Sequence, residues 1–128
     1  MLRPSPVGKV QGMSMTSGGT PGSHLTAELA ALDNNVYGFM HNASALESLA
    51  HAFAQLGWSA RRSAEGEYEV ECSWCQVSLF ESGGMPKFGG VVEPTRVDEL
   101  ADTLRSLNVD YEIELYDVQG ELVRTILP

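Results

Sequence analysis

Positive charge is scarce in this chain. Of its 128 residues, eight are Lys or Arg and seventeen are Asp or Glu, for a net charge of −9. Arg3 and Lys9 lie ahead of Leu25 and every acidic residue lies behind it, so the chain from Leu25 onward carries six basic residues and a net charge of −11. A surface of that sign repels nucleic-acid phosphate and anionic lipid, and it attracts basic proteins. Neither nucleic acid nor a membrane surface is an expected partner. Long apolar runs are missing as well. None approaches the roughly 18 residues of a bilayer-spanning helix. The opening MLRPSPVGKVQ has basic residues with no apolar stretch after them, so no secretory signal is read and the cytoplasm is the expected location.

Cysteine is nearly absent, and the two that occur, Cys72 and Cys75, imply no disulfide framework. They form a CxxC, but one inside a strand-like run, whereas redox chemistry wants the first thiol at a helix N-terminus. A zinc site would need partners from His24, His41 or His51, and the chain has no second CxxC and no HxxxH. Two buried small apolar side chains beside a tryptophan are the expected role. The glycine-rich stretch Gly83–Gly90, GGMPKFGG, lacks the spacing of a P-loop or a dinucleotide-binding turn. It is expected to be a flexible connection or a ligand-adjacent loop, the segment most free to move. His51 reads as exposed on a helix. His41 ends a strand with no nucleophile or acid placed near it by spacing, and Ser44 is better explained as a helix cap. No catalytic residue, metal or cofactor is expected, and the protein is not read as an enzyme.

What the chain does have is a regular order of elements. Residues 1–24 are rich in Pro, Gly, Ser and Thr with little to bury, and are expected to be a disordered tail. Residues 25–128 make one domain. A short helix over Leu25–Leu32 ends at the turn signal Asp33-Asn34-Asn35. From Val36 two segments align at an offset of 51 residues without a gap: VYGFMHNASALESLAHAFAQLGWSA and KFGGVVEPTRVDELADTLRSLNVDY. Each holds a short apolar strand, a capped amphipathic helix and the start of a hairpin. In the first, Ser44 caps with Glu47 in the capping-box position, Leu46, Leu49, Ala50, Phe53 and Leu56 form the stripe, and Gly57 stops the helix. In the second, Thr95 caps with Asp98, Val97, Leu100, Ala101, Leu104 and Leu107 form the stripe, and Asn108 stops it. The hairpins are Trp58–Ser63 with Glu67 onward, and Asp110–Tyr116 with Glu121–Leu127. The expected fold is α+β: tandem βαββ-like units, residues 36–82 and 87–127, forming one antiparallel sheet with two helices packed on one face.

The most informative stretch is Glu65–Phe80, EGEYEVECSWCQVSLF. Tyr68, Val70, Cys72 and Trp74 alternate with Glu67, Glu69, Glu71 and Ser73, so one face is apolar and the other acidic. The apolar residues then change parity to Cys75, Val77 and Leu79. A β-bulge near Ser73–Cys75 is preferred over a turn there, because the site has no Gly, Pro, Asn or Asp. The strand Asp110–Tyr116 repeats the scheme, with Glu112 and Glu114 facing out. Like charges on cross-strand neighbours destabilise a sheet unless they are separated, countered by Arg61, Arg62 or Arg124, or met by a basic partner.

The expected partner-binding residues are Glu67, Glu69, Glu71, Trp74, Glu112, Glu114 and Tyr116, with the aromatics Trp58 and Tyr111 close by. The expected function is a small acidic protein-binding module, of the inhibitor or immunity type, that neutralises a basic partner such as a toxin. The alternatives are a small-molecule or metal-binding module without a catalytic set, and a homo-oligomeric assembly subunit that dimerises through an edge strand such as Glu121–Leu127.

Overall fold

The computed structural model describes residues 15, 18–43 and 45–128. In chain order the elements are α1 (Ala27–Ala30), β1 (Val36–Met40), α2 (Leu46–Gln55), β2 (Ser59–Ala64), β3 (Glu67–Cys72), β4 (Cys75–Ser82), β5 (Met85–Val92), a 3-10 turn (Pro94–Arg96), α3 (Val97–Ser106), β6 (Tyr111–Tyr116) and β7 (Leu122–Ile126). The seven strands form one sheet in the order β2-β3-β4-β5-β1-β6-β7, antiparallel at every junction. The α+β class and the single antiparallel sheet are as the sequence pattern implies.

Two crossovers place the helices. The chain leaves β1 through α2 to the edge strand β2, and leaves β5 through α3 to β6. Each crossover joins parallel strands, and such connections are right-handed. Because β1 and β5 run antiparallel and their crossovers run in opposite directions, right-handedness puts both helices on the same face. One core results. Leu49, Ala50 and Phe53 of α2 and Leu100, Ala101 and Leu104 of α3 share it with Val70, Val77, Leu79, Met40, Tyr111 and Ile113 from the sheet. Leu56, assigned to the apolar stripe of α2, instead ends the helix and is exposed.

The two repeating units meet at the centre of the sheet. Tyr37 pairs with Gly89 and Gly38 with Phe88, so the two aromatic–glycine dipeptides that align at the 51-residue offset are mutual partners. An approximate two-fold relation between β1 and β5 passes among these four residues. Each glycine makes room for the other unit's ring. A Cβ on Gly38 would sit 2.3 Å from the Phe88 ring, and one on Gly89 would sit 3.1 Å from the Tyr37 ring. The symmetry ends there, because the first unit has a strand more than the second. Its chain returns from the edge through β3 and β4 before reaching β5.

Several local expectations are corrected. The parity change in Glu65–Phe80 is a two-residue turn, Ser73-Trp74, between β3 and β4, with Cys72 opposite Cys75. It is not a bulge. Neither turn residue has a positive φ, so the turn asks for no glycine or asparagine. The stretch Gly83–Gly90 is not a mobile connection: Gly83 and Gly84 make a tight turn, Met85–Gly90 lies within β5 paired to β4, and Lys87–Gly90 is paired to β1 as well. At the start of α3, Thr95 is not the cap. Pro94 opens a 3-10 turn capped by Glu93, which accepts from the Thr95 N–H, and the helix begins at Val97. Asp98 is free of the capping box and binds Arg124. Ser44, the expected cap of α2, lies outside the described residues. The helix stops Gly57 and Asn108 do take positive φ, 98° and 61°.

The expected disordered tail is also revised. Residues 1–14, 16 and 17 lie outside the described residues, but Met15 is buried in the core and residues 19–23 run along β2. The Thr20 N–H donates to the Ala60 carbonyl at 2.7 Å, the Ala60 N–H donates to Thr20 Oγ1 at 2.9 Å, and Ser23 bridges to Trp58 in parallel. The helix expected over Leu25–Leu32 is one short turn, Ala27–Ala30, capped by Thr26. Its Leu29 is buried, as is Val91, and both lie outside the main core cluster. Asn35 extends β1 by side chain: its amide donates to the Val92 carbonyl and accepts from the Val92 N–H, both at 2.9 Å.

Candidate partner-binding face

With α2 and α3 on one side, the other side of the sheet is open apart from the place where α1 meets β5, at the buried Leu29 and Val91. One row crosses all seven strands: Arg61, Glu69, Ser78, Gly89, Tyr37, Glu114 and Thr125. The next holds Phe80, Lys87, Phe39 and Glu112. The alternation expected for β3 and β6 therefore places Glu67, Glu69, Glu71, Glu112 and Glu114 on this face. It does not bring them together. Three strands separate β3 from β6, which at normal strand spacing is about 19 Å.

The two acidic flanks differ. On the β3 side, Glu69 is paired with Arg61 at 2.8 Å, and Glu71 accepts from the Leu25 N–H at 2.8 Å with His24 at 3.4 Å. Both carboxylates are thus committed inside the fold and retain little exposure. Glu67 is exposed at the strand end and makes no ion pair among the described residues. On the β6 side, Glu112 meets His41 Nε2 at 2.5 Å, and Glu114 accepts from the Tyr116 hydroxyl at 2.8 Å. That bond favours the neutral phenol and, with desolvation, holds the Tyr116 pKa above the ordinary tyrosine value.

Aromatic rings stand beside this second flank. Tyr37 lies directly across from Glu114, is 42% exposed, and meets Tyr116 edge-to-face with ring centroids 5.7 Å apart. Phe39, across from Glu112, stacks on His41 at 6.2 Å, and the Lys87 ammonium lies 5.4 Å from its centroid. Of the expected site residues, the structure therefore gathers Glu112, Glu114 and Tyr116 into one cluster and adds Tyr37, Phe39, His41 and Lys87 to it. The added residues had a signal. In VYGFMH, Tyr37, Phe39 and His41 alternate with the core residues Val36 and Met40, so three aromatic side chains necessarily face away from the helices.

The other expected aromatics are elsewhere. Trp58 and Tyr111 are core residues. Trp74, on the β3–β4 turn, packs edge-on against Trp58 with centroids 5.5 Å apart and carries the Arg96 guanidinium 4.9 Å above its ring. It borders a depression of about 650 Å³ also lined by Thr26, Leu29, Glu93 and Arg96, away from Glu112 and Glu114. Cys72 and Cys75 are free, buried thiols facing the core. Desolvation pushes both up, Cys75 well above the ordinary cysteine value, so neither is a thiolate nucleophile at neutral pH. His51 is half-buried rather than exposed, with Nδ1 unpartnered. Among the described residues no group of three His, Cys, Asp or Glu side chains is placed to hold a metal ion, and no helix is long and apolar enough to cross a membrane. Comparison with protein-family models, with curated proteins and with solved structures finds no match to this chain.

Proposed function

We propose that this protein is a small acidic protein-binding module, an inhibitor or immunity-type protein that takes a basic partner on the open face of its sheet. The observation that carries the reading is the cluster on β1 and β6: the half-exposed ring of Tyr37 with Glu114 directly across from it and Glu112 one row away. A guanidinium or ammonium on that ring gains cation–π attraction and lies within reach of two carboxylates. Lys87 over Phe39 is an internal example of the same contact. The excess of seventeen acidic residues over eight basic ones speeds the approach of a cationic partner and disfavours nucleic acid. A cytoplasmic setting fits two unpaired thiols.

The reading is tested with an Arg- and Lys-rich peptide as probe, measured by fluorescence anisotropy at low and high salt. Glu112→Lys combined with Glu114→Lys should weaken binding about tenfold or more and flatten its salt dependence. The same charge change on the helix side, at Glu99 and Asp102, should have a small effect. Equal losses from the two pairs would show that net charge alone governs binding, and the face assignment would fall.

A further inference from the structure

The two edges of the sheet are treated differently by the fold. At the β2 edge, residues 19–23 occupy the backbone groups near Trp58 and Ala60. At the β7 edge no described segment pairs with the strand. Apolar exposure concentrates there. Of the seven large apolar side chains exposed among the described residues, Val118, Leu122, Val123 and Leu127 lie in or beside β7, the last three at 52%, 53% and 60%.

The hydrogen-bonding state of β7 follows from its neighbours. The Tyr116 N–H donates to the Asn35 carbonyl at 2.8 Å, so Tyr116 points its backbone groups toward the β1 side. Backbone direction alternates along a strand, so Glu114 does the same. The residues opposite them on β7, Leu122 and Thr125, then turn their N–H and C=O away from β6, out of the sheet. Both side chains lie on the open face. A bulge opposite Leu115–Tyr116 sets them three residues apart.

We propose that β7 is a self-pairing edge whose partner is a second copy of this chain. A two-fold axis between Val123 and Arg124 places Leu122 of one copy opposite Thr125 of the other, twice. The outward donors and acceptors of each copy then meet their counterparts, and the open faces continue as one surface. Local charge does not oppose a copy at this edge. The chain is −11 from Leu25 onward, yet β7 and its flanks from Val118 to Leu127 hold one Glu and one Arg, so the edges approach without net repulsion. Arg124 is held back on the helix side by its own Asp98, at 2.9 and 3.1 Å. β7 holds no lysine or proline, and the bulge at Val123 is its one feature of the kind that guards an edge. The dimer does not depend on the basic-partner reading, and it sets two Glu112–Glu114 clusters on one continuous face.

The test is mass in solution by light scattering after size exclusion, over a wide range of concentration. Wild type should reach twice the 13.9 kDa of the chain. Thr125→Pro deletes an N–H that the monomer does not use, and Leu122→Lys puts a charge at the seam. Each should raise the dimer dissociation constant about tenfold or more, with an unchanged circular dichroism spectrum. If Thr125→Pro fails to fold, Leu122→Lys decides alone. A wild type that stays at 13.9 kDa at the highest concentration overturns the proposal, as does a dimer that the folded variants form equally well.

Discussion

Gly90→Ala should cost more than about 3 kcal/mol of stability, the largest loss expected from any single methyl group in this protein. Gly90 is on β5, near the centre of the sheet, opposite Val77 on one side and Val36 on the other. A Cβ there would lie 1.9 Å from the Gln76 carbonyl oxygen and 2.8 Å from the Val77 Cα. Both obstacles are main-chain atoms of a hydrogen-bonded neighbour. No rotamer change relieves them, so β4 and β5 must separate where they are paired on both flanks. Gly89→Ala is the internal control. Its Cβ would come closest to the Tyr37 ring, at 3.1 Å, and that ring can shift toward solvent, while the nearest main-chain atom, the Val36 carbonyl oxygen, is at an ordinary 3.9 Å. Its cost should stay below about 1 kcal/mol. Denaturant unfolding of the two variants checks the contrast. A Gly90→Ala midpoint close to wild type would show that β4 and β5 are not in the described register.

Phe53→Ala should cost about 3–5 kcal/mol. Phe53 is fully buried on α2 and lies edge-to-face with Trp58, ring centroids 4.8 Å apart. Removing the ring leaves a cavity between the helix and the β2–β3 edge and deletes an aromatic pair. The loss has a second, optical readout. Trp58 is almost fully buried against Phe53 and Trp74, so its emission should shift to the red in the folded variant. Phe53→Leu keeps most of the volume and should lose far less. Near-equal stability of Phe53→Ala and wild type would place Phe53 outside the core.

The legible part of the fold was the part fixed by periodicity. Alternation in Glu67–Cys72 and Tyr111–Tyr116, and the 3.6-residue stripe through Leu49, Phe53, Leu100 and Leu104, assign their own faces without reference to partners. Turn chemistry was less legible. Ser73-Trp74 turns with negative φ at both residues and so leaves no compositional mark. Gly89 and Gly90 misled in the opposite sense. They are glycines because neighbouring strands and a ring come close, a reason that lies in residues far along the chain. Thr95 carried the capping signal, yet Pro94 opens a helical turn ahead of it, and Glu93 became the cap.

The candidate site was legible by face and not by position. The parity of the glutamates put five of them on the open side, but strand order is a long-range property. It was strand order that sent Glu69 and Glu71 to one flank, where Arg61 and the Leu25 N–H hold them, and set Glu112 and Glu114 beside Tyr37. The insertion of β5 between β4 and β1 has no local signature. It moves the weight of the acidic face from β3 to β6.

The most direct test of the account is an amide NMR titration of the full chain with an Arg- and Lys-rich peptide. If the open face between β1 and β6 is the partner site, chemical-shift changes will concentrate at Tyr37, Phe39, Glu112, Glu114 and Tyr116 and will shrink as salt is added. Changes centred on Trp74 and Arg96, changes spread over the acidic side of α3, or no changes at all would contradict it.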